Sequence, residues 1–177
     1  MITILIVDDE QAIRDQIRLL LSPNNYEIFD VSSGEAALNL IKSQHVDLVI
    51  LDQLMPGISG TEVAIKLKKR EINFIFCSSS TEIELLKLAM SLGALNYIVK
   101  PFIQPEALNV IEGAIERIAE DEKNADIKEA ITFLMGFHGL SRKPARSRLV
   151  KMARDSNTET SVVSRQILDV ADLINHR

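Results

Sequence analysis

The chain has 177 residues, 46% of them apolar and 25% charged, which suits a soluble globular protein of one domain of about 120 residues plus a small module. Its single cysteine, Cys77, excludes an intramolecular disulfide and a cysteine-based zinc site, and no apolar run approaches the roughly 18 residues of a membrane span. The net charge of −5 is unevenly divided: residues 1–124 carry 11 Lys+Arg against 19 Asp+Glu, and residues 125–177 carry 9 against 6, so the front is acidic and the back is the candidate for nucleic acid.

Ile2–Val7 is the first strand candidate. Asp8 cuts it short and no basic segment precedes it, so it does not read as a signal peptide, and a cytoplasmic location is expected. Ile13, Ile17, Leu20 and Leu21 then share one helix face. The next strands are Glu27–Val31, Leu48–Leu51, Phe74–Cys77 and Tyr97–Val99, each rich in β-branched or aromatic residues and bounded by turn residues. Between them lie helical patterns, with Val63 and Leu67 on one face and Leu85, Leu88, Ala89 and Leu92 on another. Ser32 with Glu35, Ser59 with Glu62 and Thr81 with Glu84 each fit a capping box. Strands alternating with helices predict an α/β fold, a doubly wound five-stranded parallel sheet over residues 1–120.

No strand pattern follows Pro105, which suits the first turn of a helix. One continuous helix is expected from about 105 to 135, leading into a small all-α domain over 121–177. Leu108, Ile111, Ile115 and Ile118 repeat at steps of 3 and 4, either as a coiled-coil seam joining two copies or as the face of the last sheet-packing helix. Ile127, Ala130, Ile131, Leu134 and Met135 form a further stripe, broken by Gly136 and Gly139. Ser141 caps a second helix that tolerates Pro144 in its first turn. Asp155-Ser156-Asn157 is a turn, and a last helix carries Val163, Ile167, Val170, Ala171 and Ile174.

Asp8 and Asp9 directly follow the first strand and Asp52 directly follows the third. The carboxyl ends of adjacent parallel strands converge on one crevice. Three carboxylates crowded there oppose one another's ionisation unless a cation lies between them. A hard divalent ion with oxygen ligands resolves the conflict, and Mg2+ is the natural occupant. Lys100, after the fifth strand, can set an ammonium against an anion in the same crevice, and the Lys100–Pro101 bond is expected to be cis. Ser78 closes the fourth strand and offers a hydroxyl.

These pieces resemble the receiver domain of bacterial response regulators. The matching runs are Val7-Asp8-Asp9-Glu10, Leu51-Asp52-Gln53-Leu54-Met55-Pro56-Gly57, Cys77-Ser78-Ser79, Gly93-Ala94 and Tyr97-Ile98-Val99-Lys100-Pro101-Phe102. The resemblance implies that Asp52 is the phospho-acceptor for a sensor histidine kinase. It implies that Asp9 binds Mg2+ directly, Asp8 partly through water, and the Leu54 backbone carbonyl as a further ligand. Lys100 and Ser78 would hold the phosphoryl oxygens and Tyr97 would be the aromatic switch. The family often has Thr at the Ser78 position and usually Asp at that of Asn96. Leu54 has no group to orient a water, so hydrolysis of the phosphoryl group is expected to be slow.

From Arg142 to Arg154 there are six basic residues and no acidic one. On a helical wheel Ala145, Leu149, Met152 and Ala153 share one face, Lys143, Lys151 and Arg154 lie opposite, and Arg148 flanks the apolar edge. A basic helix face suits phosphate contacts. With no aromatic in that helix, a structured RNA hairpin fits better than stacked single-stranded bases.

The tail resembles the ANTAR domain, the RNA-binding module of transcription antitermination regulators. Ile127-Lys128-Glu129-Ala130, Leu134-Met135, His138-Gly139-Leu140-Ser141, Ala145, Leu149, Ala153 and Asp155-Ser156-Asn157 carry the likeness. Arg146 stands where that family favours an aromatic and Val150 where it favours a basic residue; Thr132 and Ser164 replace commoner small residues.

His45, His138 and His176 lack metal-ligand spacing and read as isolated polar groups. The expected function is a phosphorylation-controlled, RNA-binding antiterminator. It would act as a homodimer with no membrane association, and it would not be an enzyme beyond self-phosphorylation and hydrolysis at Asp52. The alternative is a signalling adaptor whose helical tail dimerises or binds protein; a DNA-binding regulator ranks below both, for want of a recognition helix.

Overall fold

The computed structural model describes residues 1–175, so His176 lies outside the described residues. The chain divides into two compact units, residues 1–118 and 119–177. In the first, β1 (Thr3–Val7), β2 (Glu27–Val31), β3 (Leu48–Leu51), β4 (Asn73–Ser78) and β5 (Tyr97–Val99) alternate with α1 (Gln11–Leu21), α2 (Gly34–Leu40), α3 (Gly60–Lys68) and α4 (Ile83–Leu92). All pairings are parallel, in the order β2-β1-β3-β4-β5. A parallel sheet of this kind has both faces covered, so its central strands β1, β3 and β4 are buried almost throughout, while the edge strand β2 carries Glu27 and Asp30.

Strand periodicity sorts the residues between two cores. Leu5, Val7, Val49, Leu51, Phe74 and Phe76 face one side, where Ala37, Val63, Ala64 and Leu67 of α2 and α3 pack on them. Ile4, Ile6, Leu48, Ile50, Ile75, Cys77 and Ile98 face the other, against Ile17, Leu20 and Leu21 of α1. The same core takes Ala107, Ile111, Ala114 and Ile118 of α5 (Gln104–His138). The Leu108–Ile118 stripe is therefore spent on the sheet, since Ile111 and Ile118 are buried there and Leu108 and Ile115 pack at the margin. Of the two alternatives for this segment, the structure shows the sheet-packing helix face.

In the second unit, α5 is followed by α6 (Arg142–Asp155) and α7 (Thr160–Asn175). Ala130, Ile131 and Leu134 of α5 pack with Ala145, Leu149 and Ala153 of α6 and Val163 of α7. Gly136 does not break α5, which runs on to His138. Only Gly139, at φ 63°, ends it. A helix-interior glycine costs only about 1 kcal/mol, less than the flanking packing returns. Asn157 takes the other left-handed position here, at φ 51°, in the expected turn. Met152 is 38% exposed and does not share the buried face of Ala145, Leu149 and Ala153. Those three lie at successive i, i+4 positions, and Met152 falls one step off their stripe.

The helix starts differ in detail from expectation. Ser59 and Glu62 form the capping box. Ser33, not Ser32, caps α2, accepting from the Ala36 N–H at 3.2 Å. Glu82, not Thr81, precedes α4, and no side chain caps it. Ser141 precedes α6 without a side-chain cap bond. The Lys100–Pro101 bond is cis.

Gly60 opens α3 against the end of β3. A Cβ there would lie 2.0 Å from the Asp52 carbonyl oxygen and 2.7 Å from the Gln53 Cα. Both are backbone atoms and neither can yield. Gly60→Ala is expected to lower stability by about 1–3 kcal/mol, as overpacking does, measured by urea unfolding. Cys77 is 1% exposed, and burial is the main cause that pushes its thiol from 9.0 up to about 12; the Lys100 charge pulls the other way. Between those values the folded state binds the thiol proton more tightly than the unfolded state. Stability should therefore fall as pH rises above about 9. At pH 8, a disulfide reagent should label Cys77 only as fast as the protein opens.

Candidate functional site

β1 has β2 on one side and β3 on the other, so chain connections leave the sheet in opposite directions around it. The crevice at such a point opens at the carboxyl ends of the strands. The ladder carries Asp8 and Asp52 into it: the Asp8 N–H donates to the Val31 carbonyl at 3.2 Å and the Asp52 N–H to the Val7 carbonyl at 2.8 Å. Carboxylate oxygens of Asp8, Asp9 and Asp52 lie within 4.8 Å of one another. Asp8 and Asp52 are buried and Asp9 is exposed.

Lys100 reaches the same place from the end of β5. Its Nζ lies 2.6 Å from Asp8 Oδ2, 3.3 Å from Asp52 Oδ2 and 3.8 Å from Glu10 Oε1. Its N–H donates to the Ser78 carbonyl at 2.9 Å, which ties β5 to the end of β4. Burial opposes the Lys100 ammonium. The hydrogen bond to Asp8 and the charges of Asp52 and Asp8 outweigh it, and the pKa stands above the ordinary value. Asp52 is raised: burial dominates, Asp8 adds to it, and Lys100 and the Leu54 N–H work against it. That N–H donates to Asp52 Oδ1 at 3.3 Å, while the Leu54 side chain is 59% exposed. One ammonium among three carboxylates leaves excess negative charge in a partly buried site. A divalent cation with oxygen ligands fits that donor set.

Ser78 is fully buried at the end of β4. Tyr97 is half-buried, and its hydroxyl lies 3.0 Å from the Ser80 carbonyl and 3.2 Å from Gln53 Oε1. A phenol has one proton, so it serves one oxygen at a time. Burial, first of the causes, raises the Tyr97 pKa.

Two residues of this region escape a reading of the sequence. Gln53 is 3% exposed and reaches Tyr97, although a polar residue beside Asp52 carries no sign of burial. Arg14, on α1, is 7% exposed, and its Nη1 donates to the main-chain oxygens of Asp8 at 2.6 Å and Asp9 at 3.2 Å. The available signal was its place between Ile13 and Ile17 on a core-facing helix.

In the helical unit, Lys143, Arg148, Lys151 and Arg154 are all exposed. Lys151 and Arg154 line one groove with Arg146, Ser147 and Val150. Arg146 thus belongs to the basic surface, although the helical wheel did not single it out. A second groove, lined among others by Phe133, Phe137, Met152, Val170 and Ile174, is largely apolar. Phe133 and Phe137 stack there at 5.5 Å, and His138 meets Phe137 edge-on at 5.0 Å. His45 pairs with Asp47 at 2.8 Å on the surface of the first unit.

A family model described as the response regulator receiver domain matches residues 4–112. The probable transcriptional regulator ycf27 of Porphyridium aerugineum is 30% identical over 157 residues, which covers 84% of this chain and 65% of that protein. Regulatory protein VanR of Enterococcus faecium is 30% identical over 142 residues, covering 76% of this chain and 62% of its own. The chain thus spans less than two thirds of the length of either relative. Among solved structures, response regulator protein TrrA of Thermotoga maritima, in complex with Mg2+-BeF, is 35% identical with a TM-score of 0.58, covering 64% of this chain and 99% of that one. Because the family match takes in every strand of the sheet and the whole acidic pocket, the chain belongs to the response regulator receiver domain family of two-component systems.

Proposed function

We propose that this chain is a phosphorylation-controlled response regulator whose helical unit binds structured RNA as a transcription antiterminator. The observation that carries the first half is the Asp8, Asp9 and Asp52 cluster with Lys100 Nζ 3.3 Å from Asp52. A sensor histidine kinase is the phosphodonor in this reading. Asp8, Asp9, Asp52 and the Leu54 backbone carbonyl would hold Mg2+. When bound, the ion neutralises carboxylate and phosphoryl oxygens, as it does in other phosphoryl-transfer sites. The reading is supported by TrrA, a similar protein described in complex with Mg2+-BeF.

An Asp52 carboxylate oxygen attacks phosphorus in line. The new O–P bond forms as the bond from phosphorus to the donor nitrogen breaks, and the leaving imidazole takes its proton from solvent. Burial works against the charged Asp52 nucleophile, and Lys100 favours it. Once the phosphoryl group is attached, Lys100 pairs with its oxygens and the Ser78 hydroxyl donates to them. Ser78 moves toward the new charge, and Tyr97 turns into the space it leaves. A local charge event thereby biases a two-state surface. Self-phosphorylation and slow hydrolysis at Asp52 are the only chemistry in this reading, because the Leu54 side chain cannot orient a water.

The second half rests on α6, with six basic residues and no acidic one from Arg142 to Arg154. Lys143, Arg148, Lys151 and Arg154 would meet RNA phosphates, joined by Arg146. The relative described as a probable transcriptional regulator supports control at the level of transcription. A cytoplasmic location follows from these partners; among the described residues no helix is long and apolar enough to cross a membrane. One observation favours the adaptor reading instead. Phe137, Val170 and Leu173 are 63%, 53% and 71% exposed, which suits a protein partner. In either reading a homodimer would join through that apolar surface and not through Leu108–Ile118.

Asp52→Asn should abolish the acyl phosphate formed from a small phosphodonor with Mg2+, read by phosphate-affinity electrophoresis. Normal labelling would show that the acceptor lies elsewhere. Reversing Lys143, Lys151 and Arg154 to Glu should leave the fold nearly intact, since surface changes cost about 0.5 kcal/mol or less each. RNA hairpin affinity should fall, and each lost phosphate contact should flatten the log–log salt slope by about 0.7–0.9. A folded triple variant with unchanged affinity and slope would leave the adaptor reading.

A further inference from the structure

We propose that Arg14 is a positioning residue for the metal-binding aspartates, its guanidinium fixing the Asp8–Asp9 main chain so that their carboxylates enter the pocket. This rests on reading the carboxylate cluster as an Mg2+ site. A guanidinium that is 7% exposed is costly to bury unless its donors are engaged. Here they are: Nη1 donates to the Asp8 and Asp9 carbonyls at 2.6 and 3.2 Å, Nε to Asp30 Oδ1 at 3.3 Å, and Nη2 to Gln11 Oε1. Arg18 also pairs with Asp30, so the anchor of Arg14 on β2 is itself held.

The grip falls on the main chain of the two aspartates. Charge balance with the cluster is supplied by Lys100, which touches the Asp8 and Asp52 carboxylates directly. A planar fork is matched to such a grip, because one nitrogen spans two successive carbonyls while the others reach α1 and β2. A lysine ammonium cannot reproduce that reach. The loop shows the result. The Glu10 N–H donates to Asp8 Oδ1 at 3.0 Å, which leaves Asp8 Oδ2 for Lys100.

Charge and positioning predict opposite effects. A cation beside the cluster repels a divalent ion, so removing it for charge reasons alone would tighten Mg2+ binding. Removing a clamp that orients the ligands would weaken it. The full-length protein is titrated with Mg2+ by calorimetry as wild type, Arg14→Lys and Arg14→Met. Hydrogen exchange of the Glu10 amide is followed by NMR in the metal-free protein. Both substitutions are expected to lower Mg2+ affinity by about tenfold or more and to speed Glu10 exchange. Arg14→Lys keeps the charge, so its loss reads the geometry alone. A folded variant with unchanged or tighter Mg2+ binding, or with wild-type Glu10 exchange, would overturn the proposal. If neither variant folds, Asp30→Ala keeps Arg14 and removes the oxygen that anchors its Nε. It should lower the affinity in the same direction, and an unchanged value would also overturn the proposal. A wild-type protein that fails to bind Mg2+ would instead refute the reading of the carboxylate cluster.

Discussion

Mutual repulsion among Asp8, Asp9 and Asp52 is the constraint on which the rest of the first unit turns. Their carboxylate oxygens lie within 4.8 Å of one another, two of the three side chains buried. Left to themselves such groups separate into solvent. The sheet prevents that, because Asp8 and Asp52 continue hydrogen-bonded ladders of β1 and β3. Lys100 supplies one compensating charge from β5, and burial still raises the Asp52 pKa. A site short of positive charge in this way suits a divalent cation.

Holding that cluster requires close backbone packing beneath it. Gly60 brings the first turn of α3 against the Asp52 carbonyl, where no side chain fits. Arg14 holds the opposite margin from α1. Both faces of the sheet are covered, so neither margin can relax without disturbing a core. The same economy explains the fate of the Leu108–Ile118 stripe. An apolar helix face beside an uncovered sheet face buries itself there first, and only the partly buried Leu108 and Ile115 stay at its margin.

The helical unit separates two kinds of surface. Arg146, Lys151 and Arg154 line a basic groove, and Phe133, Phe137, Val170 and Ile174 help line an apolar one. Met152 marks the divergence, because it belongs to the apolar groove and not to the buried stripe of its own helix. The basic groove and the apolar groove therefore share no lining residue on this unit.

By itself, the sequence determined the strands, their alternation with helices and the members of the acidic pocket. Each is a local pattern: short apolar runs ended by Asp8, Asp52, Ser78 and Lys100, with a 3.6-residue period between them. The basic character of α6 was equally plain, since charge counts need no coordinates. What only the tertiary structure decided was which partner each local feature meets. Ser33 took the cap expected of Ser32, and α5 continued through Gly136, because packing outweighs preferences of about 1 kcal/mol. Gln53 and Arg14 carry polar groups that a sequence assigns to solvent. The partners they meet, the Tyr97 hydroxyl for Gln53 and the Asp8 and Asp9 carbonyls for Arg14, come within reach only when the sheet closes. A hydrogen bond made by the fold leaves no periodic trace in a chain, and that is the physical reason these two residues had to wait for the tertiary structure.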